Sequence, residues 1–440
     1  MPICRFRQIS QDVSDKIETS RNQKEAAVLR YTRRHSMHGL SVLMMFLILA
    51  GCIAQPVTPS ADMPLYQEQT YTQLEQCFSA QTGLIRPARQ SQVTAAWLPY
   101  LLYDTLFASA DAETCRTAVR EYLTNAKKIG INTIFAHACA FGEAYYLSDL
   151  LPPAKSCSYD CIQILSDECR SLDLSLHAWI NPLRLQTVEQ TAKWSGDTLA
   201  VRWYRDRSQR EKYMILWENR WYFNPAQEQV RDLICRVAAE LLNRYPIDGI
   251  HIDDYFYPTT AAAFDAQDFT ASHAEDLAQW RREQVTALVH QLYATVHNIA
   301  EDAVFSISPQ ADIAHNTDAL YADVTAWAAE DTACDWLIPQ IYYGFEHETM
   351  PFLEVMAQWT ALPRSSSVAL MIGIATYKVG ETDLNAGSGQ KEWLDCPALP
   401  AREAAAALRD ENVTGIAFYH LGTTILLSQS EVQALHEILL

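Results

Sequence analysis

The sequence predicts an α/β fold, a (β/α)8 or TIM barrel, and three observations support this prediction. Eight short segments of strand character alternate with helical patterns between residue 95 and the end of the chain, which is the pattern of such a barrel. The strand segments are largely apolar, as expected for parallel strands that are buried on both faces. The alternative is an open doubly wound sheet, but the chain lacks the Gly-x-Gly-x-x-Gly turn with which such a sheet binds a nucleotide.

The predicted strands and helices follow one another in regular order. Strands are predicted over residues 95–102, 132–138, 175–181, 249–254, 304–309, 336–343, 369–377 and 415–421. Helices are predicted over residues 114–129, 159–172, 227–244, 276–300, 322–329, 352–362, 401–410 and 430–440. Each strand is therefore followed by a helix, and a length of about 350 residues suits a barrel with loop insertions.

The helix over residues 227–244 has the clearest pattern. Asn224 can cap its first turn and Pro225 suits the first helical position. Its apolar residues recur at helical spacing: Val230, Leu233, Ile234, Val237, Leu241 and Leu242. The helix is predicted to end before Pro246, because the residue that precedes a proline disfavours helical geometry. A turn through Asp248 and Gly249 then leads into the fourth strand.

The fourth predicted strand ends in two adjacent carboxylates, Asp253 and Asp254. Alternate residues of a strand share a face, so His251, Asp253 and Tyr255 are expected to point the same way. Active sites of barrel enzymes lie at the carboxyl ends of the strands, which predicts a catalytic role for the two aspartates. The alternative is that they only cap the next turn, but the aromatic residues that follow, including Tyr257, favour a functional site.

The ends of the other predicted strands supply polar and aromatic candidates for ligand binding: Glu143, His177, Trp179, Asn181, Arg184, Ser308, Gln310, Gln340, Tyr342, Glu346 and Tyr377. Aromatic rings bury the apolar faces of a sugar, and amide groups bind its hydroxyls. The combination therefore predicts a carbohydrate ligand. Single residues have structural alternatives, since Trp179 could belong to the core and Arg184 could hold a loop.

Composition and motifs argue against several other partners. The formal net charge of −19 disfavours nucleic acid, because phosphate binding requires a basic surface. No cofactor is predicted. A metal site formed by His251 and Asp253, as in a metal-dependent deacetylase, remains an alternative, but the spacings His-x-x-x-His and His-Glu-x-x-His do not occur. A Gly-x-Ser-x-Gly nucleophile motif is also missing from the sequence.

Residues 1–52 are predicted to form a secretory signal of the lipoprotein type. Arg30, Arg33 and Arg34 precede an apolar run over residues 40–50 and the ending Leu-Ala-Gly-Cys at Cys52. This ending resembles the bacterial lipoprotein box, which implies lipidation of Cys52 and anchoring to the membrane outside the cytoplasm. The alternatives are a signal anchor or a core helix, although the run is short for a bilayer span.

The composition changes after the predicted signal. Residues 53–91 are rich in Gln, Thr, Ser and Pro, which predicts a flexible tether of low complexity. Residues 92–440 then form the predicted barrel domain.

Several segments together resemble the glycoside-hydrolase-like family ten. They are residues 177–182, 248–258, 280–282, 306–310, 339–345 and 377–380, which follow in the family's order between Thr94 and Leu421. The resemblance implies a bacterial secreted or lipoprotein (β/α)8 barrel of glycosidase type, with peptidoglycan glycan strands as the substrate of some members.

Two places depart from the family pattern. Thr94 stands where the first strand usually carries an arginine. At the end of the second strand Cys139 stands in place of an arginine, and Glu143 in place of an aspartate. The lost arginines suggest either a changed ligand or weakened activity, so a catalytically retired, membrane-tethered glycan-binding protein is the alternative function.

The resemblance implies glycoside hydrolysis, which requires two carboxyl groups, one of them protonated to assist the leaving oxygen. Asp253 matches the position of the nucleophile in related barrel glycosidases, and its partner is Asp254, Glu143 or Glu346. The second carboxyl attacks the sugar, activates water or supports an N-acetyl group that acts as the internal nucleophile. The sequence leaves these three routes open.

Overall fold

The computed structural model describes residues 92–109, 111–155 and 159–439. The predicted signal, including Cys52, and the predicted tether lie outside these residues and stay predictions. Among the helices of this described part, none combines the length and apolar character needed to cross a membrane.

The described residues form twelve strands. They are β1 (Val93–Leu98), β2 (Thr133–Ala140), β3 (Glu143–Ala144), β4 (Ser175–Ile180), β5 (Arg184–Thr187), β6 (Met214–Trp217), β7 (Arg220–Phe223), β8 (Gly249–Ile252), β9 (Val304–Ile307), β10 (Trp336–Leu337), β11 (Ala369–Ala375) and β12 (Val413–Tyr419).

Sixteen α-helices are described. They are α1 (Tyr103–Leu106), α2 (Ala112–Ile129), α3 (Cys161–Ser171), α4 (Val188–Thr191), α5 (Leu199–Arg205), α6 (Arg207–Tyr213), α7 (Glu228–Arg244), α8 (Ala266–Ser272), α9 (Leu277–Ile299), α10 (Ile313–Asp318), α11 (Val324–Ala329), α12 (Phe352–Thr360), α13 (Glu392–Asp395), α14 (Leu399–Leu408), α15 (Leu421–Thr424) and α16 (Gln429–Leu439). Short 3-10 helices add Tyr100–Leu102 and Gly387–Gly389.

Eight of the strands close into a parallel barrel. Their order is β1-β12-β11-β10-β9-β8-β4-β2, and pairing of β1 with β2 closes the ring. The short β3 adds to the edge of β2 in the antiparallel sense. The predicted TIM barrel is therefore confirmed, and each predicted strand overlaps one of the eight barrel strands.

Two apolar cores stabilise the barrel. A large outer core lies between the strands and the surrounding helices. A smaller one fills the barrel interior and is rich in large rings: Val93, Ala95, Trp97, Phe135, Trp179, Ile338, Met371 and Ala417. Because successive strand residues face opposite sides, every strand must satisfy both cores, which explains the largely apolar strand segments.

Gly249 makes room for one of the polar rings inside the barrel. A Cβ atom at this position would lie 2.4 Å from the carbonyl oxygen of Val304 and 2.7 Å from Nδ1 of His177. The first position of β8 therefore needs glycine for close approach of the neighbouring strand and of an imidazole ring.

The structure corrects the predicted start of the helix before β8. Helix α7 begins at Glu228 with Gln227 as its N-cap residue. The side chain of Asn224 instead accepts a hydrogen bond from the Ala226 amide and donates one to Asp268. Asn224 therefore fixes the turn that precedes the helix, as asparagine commonly does.

The segment between β4 and α7 contains elements that sequence reasoning missed. It forms a three-stranded antiparallel sheet in the order β5-β7-β6, together with α4, α5 and α6. These strands have four residues each, too few for a clear alternating pattern. The hairpin turn at Glu218 and Asn219 has positive φ at both residues, the geometry of a type I′ turn, without its usual glycine.

Candidate active site

Asp253 lies at the centre of the carboxyl ends of the barrel strands and is 2% exposed. Its Oδ2 accepts hydrogen bonds from Trp179 Nε1 (3.0 Å) and Asn181 Nδ2 (2.5 Å). Its Oδ1 accepts one from the backbone N–H of Tyr255 (3.2 Å). Strands β4 and β8 are parallel neighbours, which brings Trp179 and Asn181 to the same level as the end of β8.

Burial, reinforced by the charge of the neighbouring Asp254, raises the pKa of Asp253 well above its usual range. The three N–H donors act in the opposite sense, because they stabilise the ionised form, but they do not outweigh burial. Asp253 is thus a carboxyl group that retains its proton at a pH where most carboxyls have lost theirs.

Asp254 is half-buried and turns to the side of β8 away from β4. Its two oxygens accept hydrogen bonds from Gln310 Nε2 (2.9 Å) and Gln340 Nε2 (3.2 Å). Gln340 also donates to the carbonyl oxygen of Ser308 (2.9 Å), whose side chain is buried. Two carboxyls that are adjacent in sequence are therefore held by different strands, one by β4 and the other by the residues that follow β9 and β10.

His251 forms the floor beneath Asp253 and is fully buried. Its Nε2 accepts a hydrogen bond from Trp97 Nε1 (2.9 Å), so Nδ1 carries the proton and donates to Ser306 Oγ (2.8 Å). Burial, with smaller contributions from His177 and His137, lowers the pKa of His251 well below its usual range. His251 is a neutral ring with both nitrogens engaged by protein groups.

His177 and His137 are also buried among the rings of the barrel. His177 stacks on Trp336 with ring centroids 5.0 Å apart, and His137 stacks on Trp179 at 3.4 Å. In the part of the chain that the structure describes, no group of three or more His, Cys, Asp or Glu side chains is arranged to hold a metal ion.

A tyrosine cluster lines another side of the mouth. Tyr342 stacks on Tyr419 with centroids 5.5 Å apart, and Tyr377 meets both rings edge-on at 6.1 Å and 5.8 Å. Burial raises the pKa of all three hydroxyls. The cluster therefore offers uncharged rings beside the two carboxyls.

Glu143 is held at the same end of the barrel by the segment between β4 and α7, called here the inserted segment, which contains the sheet β5-β7-β6 (the inserted sheet). It follows a tight turn in which Phe141 and Gly142 have φ of 57° and 72°. Its oxygens accept hydrogen bonds from Trp194 Nε1 (2.9 Å) and Gln186 Nε2 (3.1 Å). Burial raises the pKa of Glu143.

Arg184 is placed between aromatic rings at the start of β5. Its guanidinium carbon lies 4.8 Å from the centroid of Phe141 and 4.6 Å from that of Tyr255. The side chain of Arg184 is 6% exposed, whereas Tyr255 is 36% exposed.

The structure assigns other surroundings to two predicted site residues. Tyr257 is buried in a packed cluster, 5.6 Å from the ring of Phe264 and 5.1 Å from the guanidinium of Arg281. Glu346 is exposed, and its backbone N–H is bound by Glu392. Their placement alone does not link either residue to Asp253.

Sequence reasoning did not select Trp97 or His137, although both belong to the rings around the site. Trp97 and His137 alternate with apolar residues on predicted strands, so the inward face of those strands was the available signal. Tyr419, at the end of the eighth predicted strand, ends β12 and stacks on Tyr342.

Comparison with known proteins identifies the family of this chain. The family model described as Glycosyl hydrolase-like 10 matches residues 94–395. Glycosyl hydrolase DigH of Escherichia coli (strain K12) is 27% identical over 343 residues, which cover 71% of this chain and 77% of that protein. Glycosyl hydrolase YngK of Bacillus subtilis (strain 168) is 25% identical over 321 residues, covering 66% of this chain and 61% of that protein.

A solved structure supports the fold. The glycoside hydrolase domain of PgaB (BpsB) from Bordetella bronchiseptica superposes with a TM-score of 0.51 at 12% identity, covering 80% of this chain and 99% of that chain. At this identity the likeness concerns the barrel alone.

Proposed function

Since this chain belongs to the glycosyl hydrolase-like 10 family, we propose that it is a glycoside hydrolase acting on bacterial cell-wall polysaccharide, with peptidoglycan glycan strands as the leading candidate. The observation that carries the proposal is the pair Asp253 and Asp254 at the barrel mouth. Asp253 is bound by side chains at the end of β4, and Asp254 by side chains that follow β9 and β10. Two carboxyls in unequal surroundings are what acid–base cleavage of a glycosidic bond requires.

In this mechanism Asp253 is the proton donor. Its raised pKa keeps a proton available for the glycosidic oxygen as the bond to the anomeric carbon breaks. Asp254 supports the positive charge that develops on the anomeric carbon, to which water then adds. In the substrate-assisted route Asp254 instead orients an N-acetyl group, whose oxygen bonds to the anomeric carbon and is later displaced by water. The surroundings of Asp253 thus favour the acid role over the nucleophile role that the family resemblance implies.

The surrounding side chains suit a sugar. Tyr342 and Tyr419 present stacked rings for its apolar face. The amides of Gln310 and Gln340 orient Asp254. Because these donors directly follow two different strands of a closed barrel, β9 and β10, the site is held by the scaffold and not by one mobile loop.

The decisive experiment is cleavage of peptide-free peptidoglycan strands by the domain that starts after Cys52, with products identified by mass spectrometry. We expect the wild-type protein to shorten the strands, and Asp253→Asn or Asp254→Asn to lower the rate about a hundredfold to ten-thousandfold. Asp331→Asn is the matched control, because this aspartate is bound by Ser365 and Ser367 outside the site.

Full activity of Asp253→Asn, with its fold verified by circular dichroism, would contradict the proposed mechanism. Binding of the strands by the wild type without any product would favour the alternative, a glycan-binding protein built on a catalytically retired barrel.

We also propose that Cys52 carries a lipid that holds the protein to the membrane outside the cytoplasm. The support is the basic flank, the apolar run and the Leu-Ala-Gly-Cys ending of residues 1–52. Labelling of cells with a radioactive fatty acid should mark the wild-type protein, and Cys52→Ser should abolish the label. A label that persists in Cys52→Ser would refute the anchor.

A further inference from the structure

Arg184 and Arg281 are the arginines described as buried, and their surroundings differ. Arg281 forms an ion pair with Asp265 and donates further hydrogen bonds to Tyr321 Oη (3.0 Å) and the carbonyl oxygen of Ala261 (2.8 Å). The guanidinium of Arg184 forms no hydrogen bond or ion pair with any residue in the described ranges. A buried charge without a partner is costly, so the contrast marks Arg184 as a group that an anionic ligand would stabilise.

The contacts of Arg184 leave its donors free. The rings of Phe141 and Tyr255 lie against the guanidinium, with centroids 4.8 Å and 4.6 Å from its central carbon. Aromatic rings pack on the face of a guanidinium, whereas its five N–H donors point outward in its plane. The stacking therefore orients the group without using the donors that would bind a carboxylate.

The position of Arg184 connects it to the candidate catalytic pair. Tyr255 packs on Arg184 and, through its backbone N–H, binds Asp253. Arg220 adds a second guanidinium, 5.2 Å from the centroid of Phe141. This positive charge borders the barrel mouth of a chain whose formal net charge is −19.

We propose that Arg184 is a specificity-determining residue that binds a carboxylate carried by the glycan. The guanidinium fork matches the two oxygens of a carboxylate and can donate two parallel hydrogen bonds to it. A sugar with a uronic acid or a lactyl ether acid has this chemistry. The inference rests on the proposed function, since the carboxylate must belong to the polysaccharide in the cleft.

A purely structural role would have a different consequence. If Arg184 only held Phe141 and Tyr255 in place, its loss would impair acidic and neutral glycans equally. If it binds a carboxylate, its loss would affect the acidic glycan selectively. The ratio of the two activities therefore separates the two roles, whatever happens to either rate alone.

The test compares kcat/KM on peptide-free peptidoglycan strands, which carry lactyl carboxylates, with kcat/KM on the same strands after chemical reduction of these carboxylates to alcohols. We expect the wild type to prefer the carboxylated strands by about tenfold to a hundredfold, as for a hydrogen bond to a charged group. Arg184→Gln should bring the ratio close to one, and Arg184→Lys should retain part of the preference.

Arg210→Gln is the matched control, because Arg210 also packs over rings of the inserted segment, 5.3 Å from Tyr204 and 5.8 Å from Trp221. It should keep the wild-type ratio. An unchanged ratio in Arg184→Gln, or a wild-type ratio near one, would overturn the inference and leave the proposed function intact.

If the wild type cleaves neither form of the strands, the proposed function fails and the inference is tested by binding. Calorimetry with the same two forms should then show tighter binding of the carboxylated strands by the wild type and loss of this difference in Arg184→Gln. Equal affinity of the wild type for both forms would overturn the inference.

Discussion

At the scale of single residues, the surroundings of a side chain decide its chemistry more than its position in the sequence does. Asp253 and Asp254 are adjacent, yet Asp253 is buried against Trp179 and Asn181 and Asp254 faces two glutamine amides. Burial outweighs three hydrogen bonds and raises the pKa of Asp253 well above its usual range. The two carboxyls therefore differ in their surroundings because different strands of the barrel supply the groups that contact them.

The pH dependence of activity should report the proton on Asp253. The indole N–H of Trp179 stabilises the ionised form and so lowers the pKa of Asp253. In Trp179→Phe this pKa should rise further, and the alkaline limb of kcat/KM should move to higher pH, because the acid then keeps its proton longer. The profile is measured on peptide-free glycan strands.

Trp194→Phe is the matched comparison, because Trp194 donates the same indole N–H to Glu143. We expect its alkaline limb to coincide with that of the wild type. A shift in Trp194→Phe without one in Trp179→Phe would instead identify Glu143 as the proton donor.

At the scale of elements, the loop that follows β8 is tied down by Arg281 of α9. The ion pair between Arg281 and Asp265 is completely buried, and Arg281 also binds two backbone carbonyls of the same loop, those of Thr259 and Ala261. This loop begins at Asp253 and Asp254, so the ion pair connects helix packing to the shape of the candidate site.

Arg281→Met should lower the free energy of unfolding by about 3–5 kcal/mol, because it leaves the carboxylate of Asp265 buried without its partner. Urea unfolding measures the loss. The neighbouring Arg282, which donates to Gln279 on its own helix, supplies the control Arg282→Met, expected to change stability by less than about 0.5 kcal/mol. Equal stability of the two variants would contradict the structural role of the buried ion pair.

Close packing of β8 against its neighbours gives a second prediction at this scale. Gly249→Ala would bring a methyl group to 2.4 Å from a backbone oxygen and 2.7 Å from the His177 ring. Since the backbone oxygen of Val304 cannot move freely, we expect a loss of about 1–3 kcal/mol in urea unfolding. Thr414→Ala, at an exposed position of β12, is the control, and a loss no larger than in that variant would refute the steric argument.

At the scale of the whole molecule, a second buried carboxyl should make stability depend on pH. Glu403 of α14 is fully buried, and within the described structure neither of its oxygens has a hydrogen-bond partner. Burial, reinforced by the charge of Glu392, raises the pKa of Glu403 well above its usual value of 4.5. The folded protein therefore keeps a proton that the unfolded chain releases.

The sign of this effect is fixed by proton linkage. Above the unfolded pKa the native state binds the extra proton, so stability falls as pH rises, by about 1.4 kcal/mol per unit, until the folded pKa is reached. Glu403→Gln replaces the titrating carboxyl with a neutral amide and so removes this loss of stability at higher pH. We expect this variant to gain up to about 3 kcal/mol relative to the wild type between pH 5 and pH 7, as measured by urea unfolding at both values.

The exposed Glu411 provides the control Glu411→Gln, whose stability difference from the wild type should be the same at both pH values. A pH-independent effect of Glu403→Gln would show that Glu403 ionises in the folded protein.

Much of the architecture was predictable because it depends on local periodicity. The pattern of α7 was read to its last residue, Arg244, since an apolar stripe and a following proline are local signals. The first turn of α7 was not predictable in the same way, because the side chain of Asn224 donates a hydrogen bond to Asp268, which lies later in the chain. Strand β10 proved shorter than predicted, ending at Leu337, two residues before Pro339, which has no N–H to donate.

The candidate site was predictable as a region but not as a network. The polar residues at the strand ends identified the mouth of the barrel, and Asp253, Trp179 and Asn181 do meet there. The inserted sheet brings Gln186 into hydrogen-bonding distance of Glu143. This contact was not predictable, because strands of four residues are too short to show an alternating pattern in the sequence. Cys139, at a position where the family has an arginine, lies in the outer core and not in the barrel interior.

The sequence by itself determined the barrel, the family resemblance and the two adjacent aspartates, because strand periodicity and motif order are properties of neighbouring residues. The tertiary structure alone decided that burial raises the pKa of Asp253, which buried arginine lacks a counter-charge and which rings surround them. Burial and hydrogen bonding depend on groups far apart in the chain, such as Trp97 and His251 or Trp179 and Asp253, and such pairs meet when the barrel closes.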